Sequence, residues 1–236
     1  MNQKCAAPAE INVISAGAIE PGLIAAVEAF RKESGRDVRV TWATAPAIRK
    51  RLEDGEVADV VITPRAAVDD FARDGKVAGP QRVYIGRVGI GVAIREGAPV
   101  PDITGVDTLK QSVLDAESVV YTTATSGLYV EEMLRKMRIL DRIQAKITRF
   151  ANGPAMLEHL IKGKGGEIGL GAIIEILLYS GKGLKLVGPL PPETQHYTTY
   201  MAVPMTSAPN ADGARAFIRY LGTPAAKALF AAHGIS

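Results

Sequence analysis

The feature that most constrains this chain is a rhythm. Short apolar runs end in Gly, Pro or Ala, and each is followed by a segment with apolar residues at helical spacing. Residues 10–16 form the first such run, and beyond Gly17 the residues Leu23, Ala26, Val27 and Phe30 recur at the i, i+3, i+4, i+7 spacing of one helical face. Ser34-Gly35 ends that helix. Residues 37–43 read as a second strand with Val38, Val40 and Trp42 on one face, and a helix carrying Ile48 and Leu52 runs on to Gly55. Residues 59–63 make a third strand, apolar almost throughout as a strand covered on both faces must be, and Val68, Phe71 and Ala72 lie on the helix after it. Strand and helix in such alternation predict an α/β fold with a parallel sheet and right-handed crossovers.

Over residues 83–94 the pattern becomes one long β stretch punctuated by Gly86, Gly89 and Gly91, which suits a bend between lobes rather than a central core position. After a polar, Pro-containing loop the alternation resumes. Residues 118–122 read as strand, Val130, Met133, Leu134 and Met137 as a helix face, and residues 146–150 as strand. Leu157, Leu160 and Ile161 mark another helix, and residues 167–170 and 184–187 are two further strands with a helix over 173–179 between them. Residues 198–203 are β-prone. Ala214, Phe217, Ile218 and Leu221 define a helix, and Thr223-Pro224 supplies the N-cap and first residue of a last one.

Composition excludes several classes. The formal charge of +3 over 236 residues, with no Lys/Arg block and no aromatic-interleaved basic stretch, argues against nucleic acid as a partner. No run approaches the roughly 20 apolar residues of a membrane helix. Cys5 is alone and His159, His196 and His233 are scattered, so neither a disulfide nor a metal or cofactor motif is expected. Ala7-Pro8-Ala9 reads like the small-x-small tail of a secretory leader, although the apolar segment that should precede it is missing from the sequence. A short cytoplasmic leader is the alternative.

The candidate chemistry sits where strands turn into helices. Gly17-Ala18, Thr44-Ala45-Pro46, Thr123-Ala124-Thr125-Ser126-Gly127, Asn152-Gly153-Pro154 and Gly169-Leu170-Gly171 each join the carboxyl end of a strand to a helix start, the side that faces ligands in an open α/β sheet. Small residues there let backbone N–H groups approach a ligand. Each helix start adds unsatisfied donors and roughly half a positive charge, so an anion is the expected guest. The ligand-binding candidates are therefore Gly17, Ala18, Thr44, Ala45, Thr123, Thr125, Ser126, Gly127, Asn152 and Gly171, with Arg65 as the guanidinium that would meet a carboxylate. Helix capping alone is an alternative account of Thr44 and Asn152, as is a solvated surface role for Arg65. No P-loop, no G-x-S-x-G elbow and no Ser/His/Asp set is present, so no catalytic residue is assigned; Glu20 or His196 is the loop candidate for a general base.

The segments Ile11-Asn12-Val13-Ile14-Ser15-Ala16-Gly17-Ala18, Phe30-Arg31-Lys32-Glu33-Ser34-Gly35, Val38 to Ala45, Ala58-Asp59-Val60-Val61-Ile62-Thr63, Thr123 to Tyr129 and Glu167 to Ala172 together resemble the periplasmic molybdate-binding proteins of ABC importers, over nearly the whole chain. The resemblance implies a two-lobed type II periplasmic binding fold, with mixed sheets flanked by helices and two hinge crossovers. Residues 10–86 plus 203–236 would form one lobe and 87–202 the other. It also implies a monomer in the periplasm that holds a small anion through neutral donors, needs no metal or cofactor, and serves the membrane subunits of an ABC importer.

The sequence departs from that family's pattern at the site. Ala18, Ala45 or Pro46, and Ala172 stand where the family places serines and a tyrosine, and each hydroxyl lost against a desolvated anion costs about 1–3 kcal/mol. The smaller side chains leave room for a larger guest. The expected ligand is an organic di- or tricarboxylate, or another oxyanion, rather than molybdate. The alternatives are an enzyme resembling the aconitate isomerases, which would move a proton and a double bond, and a cytoplasmic ligand sensor.

Overall fold

The computed structural model describes residues 10–236, so Cys5 and Ala7-Pro8-Ala9 lie outside the described residues. The chain divides into two units. The first holds the described residues up to Gly86 together with Thr199–Ser236, and the second is Arg87–Thr198.

In the first unit β1 (Ile11–Ala16) passes through a 3-10 turn, Gly17–Ile19, into α1 (Glu20–Ser34). It is followed by β2 (Val38–Ala43), α2 (Ala45–Glu53), β3 (Val60–Pro64) and α3 (Arg65–Arg73). Pro21 and Pro46 fall in the first turns of α1 and α2, where a missing N–H is tolerated. Gly35 takes the left-handed conformation that closes α1, with φ 67° and its N–H bonded to the Arg31 carbonyl. β2 and β3 flank β1, both parallel to it, with Ile11 opposite Val38 and Val13 opposite Val60. All three strands therefore end on one edge of the sheet.

β4 (Val83–Arg95) carries the chain into the second unit. There follow α4 (Val106–Asp115), β5 (Ser118–Thr122), α5 (Thr125–Lys136), α6 (Leu140–Ile143), β6 (Ile147–Phe150), α7 (Gly153–Lys162), β7 (Glu167–Ala172), α8 (Ile173–Leu178) and β8 (Leu184–Pro189). β5 lies between β6 and β7, parallel to both, while β4 runs antiparallel to β7 on one side and to β8 on the other. One face of this sheet packs Val119, Tyr121 and Leu170 against Val130, Met133 and Leu134 of α5. The other packs Ala93 and Val120 against Met156, Leu157 and Leu160 of α7 and Ile176 of α8. The boundary between the units falls inside β4, at Gly86/Arg87, whereas residues 90–94 are an interior strand with Ile90, Val92, Ala93 and Ile94 buried, because both neighbours pair with it; α4 is an element that the sequence rhythm does not mark.

β9 (Tyr197–Pro204), α9 (Ala211–Leu221) and α10 (Pro224–Ala232) complete the first unit. The return falls at Thr199 rather than at residue 203, because β9 already pairs antiparallel with β3 from Tyr200 to Pro204. Helices cover both faces of this sheet. Ile14, Val61 and Val203 meet Ile48, Leu52, Val68 and Phe71 on one, and on the other Phe30 of α1 packs edge-on against Phe217 of α9 at 5.1 Å. Asp59, fully buried, fastens distant parts of the chain together. One carboxylate oxygen accepts the Asn12 N–H at 2.8 Å, and the other accepts the Asn210 N–H, just before α9, at 2.6 Å.

Candidate functional site

Because β5, β6 and β7 are parallel, their carboxyl ends bring three connections to one edge of the second unit. The connection into α5 is the richest in donors. No side chain caps α5, and the first N–H to bond within the helix is that of Leu128, to the Ala124 carbonyl at 2.9 Å. The N–H groups of Thr125, Ser126 and Gly127 thus remain among the unsatisfied donors of a helix start. The half-buried Thr125 and Ser126 hydroxyls have no hydrogen-bond partner among the described residues. Thr123 is exposed and its N–H is held by the Phe150 carbonyl at 2.8 Å, while the Thr122 hydroxyl accepts from Ala124 N–H at 3.3 Å, fixing the entry to the helix.

Gly127 is required for this geometry. A β-carbon there would lie 2.5 Å from the Thr122 carbonyl carbon and closer still to its oxygen, so only glycine lets the helix start this near the strand end. Gly171 has a packing reason as well, since a β-carbon on it would come within 2.9 Å of the Met156 methyl on α7.

Asn152 acts as a helix cap, its side-chain oxygen accepting the Ala155 N–H at 3.0 Å. The neighbouring position carries a group that the sequence reading missed. A β-carbon at Gly153 would stand 2.6 Å from the Glu175 carboxyl carbon and 2.8 Å from Oε1. A carboxylate from the first turn of α8 therefore already lies against the start of α7.

A second missed feature adjoins α5. Tyr129 lies one turn beyond Thr125 and Ser126 on the same helical face, and His196 stacks on it with ring centroids 4.4 Å apart and planes 16° from parallel. The Tyr129 hydroxyl donates to the Thr194 carbonyl at 2.8 Å, and the Gln195 amide bonds both the N–H and the carbonyl of Ile90 at 2.9 Å, which fixes the loop that carries the imidazole. Burial pushes the His196 pKa below its ordinary value of 6.5, favouring the neutral ring. Nothing in the local sequence signals this pair, because its members are far apart in the chain.

The corresponding edge of the first unit is plainer. Gly17 and the buried Ala18 lie in the 3-10 turn after β1, and Thr44 and Ala45 begin α2. The Thr44 side chain makes no cap bond, so capping does not account for it. Arg65 opens α3 with its side chain 72% exposed and its Nε 3.7 Å from Asp69 one turn along. The Thr63 hydroxyl, at the end of β3, is buried without a partner among the described residues. Also among the described residues, no cluster of three or more His, Cys, Asp or Glu side chains could hold a metal ion, and no helix is long and apolar enough to cross a membrane.

Residues 11–236 match the family described as bacterial extracellular solute-binding protein. The chain belongs to that family. The chain is similar to an aconitate isomerase of Pseudomonas sp., 31% identical over 93% of this chain and 85% of that protein, and to the molybdate-binding protein ModA of Escherichia coli (strain K12), 24% identical over 96% and 89%. The periplasmic molybdate-binding protein of Azotobacter vinelandii superposes with a TM-score of 0.80 at 17% identity, over 96% of this chain and 98% of that one. This solute-binding protein thus has the α/β fold of the two-lobed periplasmic binding proteins, as the residue resemblance implied.

Proposed function

We propose that this chain is a receptor that captures a small organic anion, a di- or tricarboxylate, outside the cytoplasm and hands it to the membrane subunits of an ABC importer. The observation that carries the reading is the start of α5. Its successive uncapped N–H groups and two unpartnered hydroxyls suit an oxyanion group that brings its own acceptors. The corresponding edge of the first unit offers donors of the same kind at Gly17, Ala18, Thr44 and Ala45, with Arg65 nearby on α3. Ala18, Ala45 and Ala172 offer no hydroxyl to a compact tetrahedral ion, whereas an extended carboxylate can be met by backbone amides and a guanidinium. The likeness to an aconitate isomerase supports a tricarboxylate of similar size. Thermal-shift screening of citrate, tricarballylate, cis- and trans-aconitate, sulfate and molybdate tests the reading, since a ligand of the folded state raises the melting temperature. The carboxylates are expected to stabilise the protein more than molybdate does, and the opposite order overturns the proposal.

A second reading, an isomerase of unsaturated tricarboxylates, is favoured by that same 31% identity and by His196, a neutral imidazole beside the α5 face. Such a reaction removes a proton from the carbon next to the double bond and returns one at the far end of the allyl system. Proton NMR of either aconitate isomer incubated with the protein separates the two readings. Turnover establishes the enzyme, whereas binding without turnover leaves the receptor.

A further inference from the structure

Arg87 and Tyr197, both in the second unit, bring to its carboxyl edge a cation that the sequence reading did not single out. β4 runs antiparallel to β7 with Ile90 opposite Ala172, the last residue of β7. The residues of β4 that precede Ile90 therefore extend past the edge at which β5, β6 and β7 deliver their connections. Arg87 is one of them. It is exposed, and its guanidinium lies over the Tyr197 ring with Cζ 4.6 Å from the centroid. Gly89 makes room for that ring, since a β-carbon there would crowd Tyr197 Cε1 at 3.1 Å. The preceding residue, His196, stacks on Tyr129 of α5, and the Gln195 amide ties the same loop to both backbone polar groups of Ile90. Consecutive residues of one loop thus link the α5 face to the Arg87 guanidinium.

The stack decides what this cation can do. A ring occupies the flat face of a guanidinium and leaves its in-plane N–H donors directed outward. Among the described residues no carboxylate or carbonyl accepts from them, in contrast to Arg149, which is shared between the Tyr121 ring and the Glu131 carboxylate. We propose that Arg87, held on Tyr197, is a carboxylate-binding residue of the second unit and selects for ligands that carry a second carboxylate. This inference rests on the anion-binding reading above and deepens it by giving the far end of the guest a partner. β4 and β5 lie on either side of β7, about 10 Å apart. An extended five-carbon diacid covers that span once a contact of about 2.8 Å is added at each end, so one carboxylate can meet Thr125 and Ser126 while the other meets Arg87.

The test compares, by calorimetry, glutarate with its half-amide glutaramate, which has the same length and one carboxylate fewer. Arg87→Gln should weaken glutarate roughly tenfold and glutaramate by less than about twofold. Arg87→Lys, which keeps the charge and loses the planar fork, should lose part of the same preference and serves if Arg87→Gln does not fold. Tyr197→Ala, which removes the platform, should weaken glutarate roughly threefold, whereas Tyr197→Phe should bind it as wild type does. Arg142→Gln removes an equal charge from the exposed side of α6 and should leave the glutarate to glutaramate ratio unchanged. A loss no larger for glutarate than for glutaramate in both Arg87 variants, or a ratio that moves as far in Arg142→Gln, overturns the role of Arg87 and leaves the receptor reading standing. Failure of wild type to bind either compound overturns the receptor reading and this inference together.

Discussion

Replacing Gly127 by alanine tests the candidate site at its most constrained point. The new methyl would stand 2.5 Å from the Thr122 carbonyl carbon and nearer to its oxygen, where ordinary contact needs about 3.2 Å or more. Neither atom belongs to a flexible side chain. The start of α5 must then retreat from the end of β5 by the order of 1 Å, moving Thr125 and Ser126 with it and loosening Val130, Met133 and Leu134 from the sheet. Overpacking against a fixed partner costs typically 1–3 kcal/mol, and the closeness here places Gly127→Ala near the upper end, about 3 kcal/mol. For a unit of this size that corresponds to a fall of roughly 10 °C in melting temperature. Thermal unfolding followed by circular dichroism measures the first effect, and calorimetry with the best carboxylate ligand measures the second, for which at least a tenfold weaker Kd is expected. A variant that melts within 2 °C of wild type, as a rough margin, and binds with unchanged affinity would show that the α5 start can move freely, and the reasoning would fail.

Three further outcomes are expected. Arg65→Ala should weaken binding of a dicarboxylate by about 1.5 kcal/mol, roughly tenfold in Kd, and an unchanged calorimetric titration removes Arg65 from the site. Thr63→Val should raise stability toward urea by about 1 kcal/mol, since it removes a buried hydroxyl without a partner among the described residues; a lower midpoint would mean that the hydroxyl is satisfied. For His196 the folded pKa lies below the unfolded value of 6.5, so protonation favours the unfolded chain. Its contribution to stability is therefore complete above that value and is lost as pH falls from there through the folded pKa, and His196→Phe, which preserves a stacked ring on Tyr129, should show a shallower loss as pH falls below 6.5. Identical pH profiles for the two proteins would refute this.

Much of the architecture was legible because local rules and tertiary packing agree. Leu23, Ala26, Val27 and Phe30 form the buried face of α1 as their spacing predicts, and the Thr223 hydroxyl caps Ala226 N–H at 3.2 Å ahead of the last helix. α4 was missed because only Leu109 and Val113 mark its buried side and its start has no capping side chain of its own; there the Thr108 hydroxyl accepts from Gly105 N–H instead. β4 misled through its glycines. Gly91 is present because a β-carbon would strike Ile173 and Leu186 side chains, which is a demand of close interior packing, while Gly86 alone adopts a conformation that other residues avoid, at φ 152°. The loops that make up the candidate site were found from their small residues and hydroxyls. Glu175 and the Tyr129–His196 stack were not, because each depends on contacts between segments that no spacing rule connects.

The two oxygens of Asp59 have a consequence for how such a chain is made. The second unit is one uninterrupted stretch and can close as soon as its last strand is synthesised. The first cannot, since its sheet lacks β9 and Asp59 lacks the amide of Asn210 until those later residues have been made. A nascent chain would therefore carry its opening strands half-assembled, with a buried-type carboxylate still in water, while the middle of the sequence matures ahead of the beginning.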